Sequence, residues 1–266
     1  MVVFKQELFD MKRKVERIST AIIDILKTIA EVDSILLNES AETDIINPYF
    51  FLSLDVYCEG SFPSTKERRK LFEDAGAFES SHVNVKDRFF LEDIPVRIEY
   101  KEKNRIETIV DDNEGNLWAF HDNGTYMFYR LQEGMVMYQR SEWIDGIREK
   151  ISNLSESFWG ALRESSMRSM EHYLVDLSSA SLNSDNLFYI VSLSGYLKYL
   201  CSFLFVINRK FEPSRRRLAD QVMDLEILPE NFLGRFDSLI REDPEFPPSR
   251  KREVAKLLTK SLIYLY

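Results

Sequence analysis

The hydrophobic pattern changes its period once along this chain, near residue 141, and that change limits the fold more than any single motif does. Before it, short runs of β-branched and aromatic residues alternate with helical stretches. After it, the apolar residues recur at three- and four-residue steps, with breaks at 178–184, 211–214, Pro229 and 243–249. The sequence therefore predicts an α+β half, a mixed sheet with helices, followed by an all-helical half. With 266 residues there is length for two domains, expected at 1–145 and 146–266.

Within the first half, apolar residues at Phe4, Leu8, Met11, Val15, Ile18 and onward to Ile29 predict a helix from Phe4 to Ala30. The runs "VDSILL" at 32–37, "YFFLSLDVYC" at 49–58 and "IPVRIEYK" at 94–101 read as strands. In the last of these, Val96, Ile98 and Tyr100 alternate with Arg97, Glu99 and Lys101. Residues 64–78 read as a helix capped by Ser64 or Thr65, and "RIETIVDD" as a short one. Asp122-Asn123-Gly124 joins two aromatic runs and predicts a β-hairpin, which extends the sheet or forms a homodimer contact.

Composition removes several classes of function. Lys and Arg number 35 against 44 Asp and Glu, a net charge of −9, which excludes a general nucleic-acid footprint but leaves room for a local basic patch. Two cysteines cannot build a disulfide framework or a Cys-rich zinc site, and Cys58 reads as packing. His82, His121 and His172 lack metal-ligand spacing and are given no role. No Walker loop, Gly-x-Ser-x-Gly or His-Glu-x-x-His occurs. The N-terminus lacks the apolar core of a signal peptide, and the run Tyr199–Ile207 is about half a membrane span. The expectation is a cytoplasmic protein with no membrane partner.

The chemistry lies in the order of the first half. A helix leads to a strand ending in "LLNES", twelve residues (41–52) follow, and Ser53-Leu54-Asp55 stands on the next strand, with Glu99 on a later one. This order resembles the nucleotidyltransferases of the DNA polymerase β superfamily, whose pattern is Gly-Ser or Gly-Gly, about a dozen residues, Asp-h-Asp (h apolar), and a third acid on a later strand. The physical logic is that carboxylates two residues apart on a strand share a face, and a neighbouring strand adds the third. Such a cluster holds two magnesium ions, which clamp a triphosphate for in-line displacement.

"CSFLFVINRKFEPSRRRL" at 201–218 resembles the junction that, in small-molecule nucleotidyltransferases, brings a basic residue to the nucleotide cleft, and 133–151 resembles their interdomain linker. The resemblance implies that Asp55 and Glu99 hold Mg2+, and that Ser40, Arg209, Lys210 and Arg216 contact the phosphates of ATP or another NTP. It implies transfer of a nucleoside monophosphate, AMP from ATP, to a small-molecule or macromolecular acceptor that the sequence does not identify.

The sequence departs from the family pattern twice. Glu39 stands where the turn glycine is expected, and Ser53 where the first Asp is expected. These departures keep a second reading open, a catalytically inactive protein of the same fold that binds nucleotide or a protein partner. Plainer readings also stay open: Asp55 and Glu99 as solvated strand residues, Ser40 as a turn residue, and the cluster Arg209–Arg217 as a solvated helix start.

Overall fold

The computed structural model describes residues 2–38, 50–81, 83, 85–120 and 122–265, with side chains from Met11 onward. Two compact units make up the chain: Met1–Asn113 with Phe128–Asn153, and Glu114–Met127 with Leu154–Tyr266.

The first unit is built on a six-stranded mixed sheet. Helix α1 (Val2–Leu26) leads into β1 (Val32–Asn38), and β2 (Leu52–Cys58) pairs antiparallel with it. Helix α2 (Thr65–Leu71), strands β3 (Gly76–Ser80) and β4 (Lys86–Leu91), and β5 (Ile94–Glu102) follow. Then come α3 (Lys103–Asp111), α4 (Tyr126–Glu133), β6 (Met135–Gln139) and α5 (Trp143–Ser152). The spatial order is β3-β4-β5-β2-β1-β6, with β2 and β5 the parallel pair. The adjacent interior strands β1 and β2 are buried along their whole length, whereas β5 alternates.

One face carries the apolar core. Val15, Ile18, Ile22 and Leu26 of α1 meet Ile35, Leu54, Val56 and Ile98 of the sheet. The three- and four-residue spacing of the first helix is thus the spacing of its buried stripe. On this face α2 is fixed by a buried ion pair. Arg68 donates from Nε and Nη2 to both Asp87 oxygens at 2.7 and 2.9 Å, and its guanidinium lies 4.5 Å from the Tyr100 ring centroid. Ser64 caps α2 through a reciprocal capping box with Glu67.

Two expectations are corrected. The helix expected over 64–78 ends at Leu71, because the following residues leave for β3, which pairs with β4. The expected hairpin is absent: Leu117–Phe120 is a single 3-10 turn and the second aromatic run is α4. The glycine signal itself was sound, since Gly124 has φ +53°, but it serves a turn between helices.

The second unit is helical. Helix α6 (Glu156–Asn183), capped by Ser155, and α7 (Asn186–Ile207), capped by Asp185, form an αα-hairpin through Ser184 at φ 54°. Helices α8 (Leu218–Met223), α9 (Phe232–Ile240) and α10 (Pro248–Leu262) pack with them around Leu200, Phe203, Phe236 and Leu258. The Tyr196 hydroxyl donates to the Ala255 carbonyl at 2.8 Å in this core. Helix α7 is long and apolar enough to cross a membrane by length and composition, and half of its most apolar stretch is buried.

The Arg68–Asp87 pair supplies a first test. Arg68→Ala leaves Asp87 buried without a counter-charge and should lower the unfolding free energy in urea by about 3–5 kcal/mol. Adding Asp87→Asn should recover part of that loss.

Candidate functional site

The opposite face of the sheet is polar. Parallel pairing sets Ser53 beside Arg97, Asp55 beside Glu99 and Tyr57 beside Lys101, and antiparallel pairing sets Leu36 beside Asp55 and Lys86 beside Glu99. Paired residues share a face, so two of the residues implicated by sequence, Asp55 and Glu99, stand side by side on neighbouring strands.

Asp55 is fully buried, at 0% exposure. Arg130, on α4, grips it as a fork: Nη2 donates to Oδ1 at 2.5 Å and Nε to Oδ2 at 2.7 Å. Lys101 donates to Oδ2 at 2.7 Å, and Asn38 Nδ2 at 3.1 Å. Arg130 Nη2 also reaches Ser53 Oγ at 3.3 Å. Burial pushes the Asp55 carboxyl up, and Arg130 and Lys101 more than reverse this, so it lies below its ordinary value.

Glu99 is ringed in the same way. Arg97 donates to it, Lys86 Nζ lies 3.0 Å from Oε1, and Lys101 Nζ lies 3.9 Å from Oε2. Burial again opposes ionisation, but Lys101, Arg130 and Arg97 bring the Glu99 carboxyl down to about 2. The Lys101 ammonium lies within 4 Å of both acids, and Arg130 acts on both as well.

Local structure explains how Arg130 arrives. Helix α4 ends at Gly134, where a β-carbon would stand 2.6 Å from the Arg130 carbonyl and 2.9 Å from Asn38 Oδ1. Only glycine lets the chain turn that closely over β1. Arg148 of α5 then donates to the carbonyls of Leu131 and Gly134, closing the C-terminal end of α4. Tyr57 completes the floor, with its ring 5.1 Å from that of Trp143.

This donor set does not suit magnesium. Mg2+ requires octahedral oxygen ligands at about 2.0–2.1 Å and keeps several waters. Asp55 offers no solvent-facing oxygen, and both its oxygens already accept from cations. Among the described residues, no three His, Cys, Asp or Glu side chains stand together as a metal site.

Ser40, with Glu39 before it, lies outside the described residues. Arg209, Lys210 and Arg216 are exposed residues of the helical unit, where Arg209 adopts φ 50° and pairs with Glu156. Sequence reasoning missed Arg130, Lys101, Asn38, Arg97 and Lys86. The alternation of Arg97, Glu99 and Lys101 along one strand was a visible signal for two of them. Arg130 had none, because its segment read as a hairpin.

Two predictions follow from the charges. Arg130→Met removes the forked partner of a buried carboxylate, leaving it to Lys101 and Asn38, and should cost about 3 kcal/mol in urea unfolding, with part restored by adding Asp55→Asn. For Glu99 the carboxyl falls from an ordinary 4.5 to about 2 on folding, so its contribution is complete above pH 4.5 and is lost as the pH drops toward 2. That contribution is on the order of 3 kcal/mol. Wild-type urea midpoints should fall more steeply across this interval than those of Glu99→Gln.

No family model matches this chain, and no curated protein matches it. Among solved structures it is similar to a nucleotidyltransferase-like protein from Exiguobacterium sibiricum 255-15, with 10% identity over 88% of this chain and 69% of that one, at a TM-score of 0.47.

Proposed function

We propose that this chain is a nucleotidyltransferase-fold protein that binds phosphate-bearing ligands, nucleotides in the first place, through side-chain cations and without metal-dependent transfer. The observation that carries the reading is the state of Asp55. It stands in the register of a metal-binding acid, yet Arg130 and Lys101 occupy the directions from which an ion would approach.

Charge supports the ligand class. Among the described residues, Lys86, Arg88, Arg97 and Lys101 on this sheet face, with Arg130 of α4 above it, outnumber its strand acids Asp55, Glu99 and Glu79, the last paired with Arg88. In a chain of net charge −9, such a surplus is a local anion-attracting field. Arg97 Nε is buried without a hydrogen-bond partner, which leaves a donor for an incoming oxygen. The basic residues implied by resemblance, Arg209, Lys210 and Arg216, belong to the same expectation of nucleotide phosphates.

The test is calorimetric titration with ATP in excess EDTA and again in excess Mg2+. Binding should persist in EDTA, and Arg97→Glu should weaken it by about tenfold, the worth of one charge-assisted hydrogen bond. Binding that appears only with Mg2+ would sink the proposal. So would Mg2+-dependent incorporation of labelled nucleotide that Asp55→Asn abolishes, which is the signature of a working transferase.

A further inference from the structure

The helical unit contains a second buried carboxylate, Glu212, which the sheet-face cluster does not involve. It is 7% exposed and lies just beyond α7. Ser202 Oγ donates to Oε2 at 2.9 Å, and the Thr125 amide reaches Oε1 at 3.4 Å. The Glu212 amide donates to Thr125 Oγ1 at 2.7 Å, which fixes its backbone. Gly124 is required here, because a β-carbon at its left-handed φ would collide with the Glu212 oxygens.

These two donors, one of them long, leave a buried carboxylate under-satisfied, since its two oxygens accept about four hydrogen bonds. A buried charge in that condition is costly unless something else pairs with it. Glu212 lines a partly enclosed cavity of about 40 Å³, with room for a few waters or a ligand of similar size. Lys198 lines the same cavity, and its Nζ donates to the Asp122 carbonyl at 3.1 Å. Ser165, Ser166 and Ser169 of α6 add hydroxyls to the wall of the same cavity. One carboxylate, one ammonium and a row of hydroxyls match a ligand that carries both charges at short separation.

We infer that this pocket binds a small amino-acid zwitterion of about glycine's size, its ammonium on Glu212 and its carboxylate toward Lys198. The hydroxyls of α6 take the remaining hydrogen bonds. The residues involved all belong to the helical unit, so the site stands or falls separately from nucleotide binding on the sheet.

Calorimetric titration of the full chain with glycine, ethylamine and acetate tests it. Glycine should bind about tenfold or more tightly than either singly charged analogue, since each lacks one charge-assisted contact. Lys198→Met should bring glycine down to the affinity of ethylamine, and Glu212→Gln to that of acetate. Because Glu212 also holds Thr125, a second variant guards against misfolding: Ser169→Leu fills the pocket from α6 without touching Glu212. It should abolish glycine binding and leave the thermal melt intact. No heat of binding with glycine at the highest soluble concentration would overturn the inference. So would equal affinities for glycine and ethylamine, or glycine binding that survives Ser169→Leu.

Discussion

Asp55 has no contact with solvent, and the fork that Arg130 makes with both its oxygens governs much of the architecture around it. A buried carboxylate is tolerated only when its charge is met at close range and its lone pairs are filled. Several otherwise unrelated features serve that requirement. Gly134 lets the chain after α4 pass close over β1, and Arg148 closes the end of the same helix. Asn38 and Lys101, from the strands on either side of β2, supply the remaining donors.

The same cluster explains how a sheet face can keep acids in register without an ion. Where metal ions would bring positive charge from solution, this chain carries its own on Arg130, Lys101, Arg97 and Lys86. Covalently attached cations are present at every ligand concentration and cannot be removed by a chelator. They would also remain in place beside the phosphate proposed to bind here, whereas an octahedral ion would exchange water ligands for phosphate oxygens. On the proposed reading, the arrangement would serve binding rather than displacement chemistry, which relies on an ion touching both the entering and leaving oxygens.

The legible parts of this fold were those with a strong local period. The stripe of α1 from Val15 onward, the apolar runs of β1 and β2, and the alternation of β5 all appear at or near their expected places. The Asp55–Glu99 juxtaposition was legible too, through the resemblance and the two-residue pleat. What could not be read were features decided by tertiary contact. Strand β3 is short and mostly exposed, and its place comes from pairing with β4. The aromatic run at α4 fits strand and helix propensity alike, so Asn123-Gly124 tipped the reading toward a hairpin. With that segment misassigned, Arg130 could not be connected to a strand 75 residues earlier. The masking of Asp55 by its own cations was invisible for the same reason.

The route of the chain also sets an order for its folding during synthesis. All six strands and helix α5 have emerged by Ser152, so the sheet unit has its whole complement of partners long before the last helix is made. Glu114–Met127 belongs to the helical unit, and Thr125 meets Glu212 across 87 residues of sequence. At the ~5–20 residues per second of ribosomal elongation, that partner arrives several seconds later. For that interval the segment between α3 and α4 is an unclosed loop spliced into a sheet unit that already has all its strands. Native pairing across so long a separation is slow to nucleate, so this early-born, late-docked stretch waits in the nascent chain without its native partner.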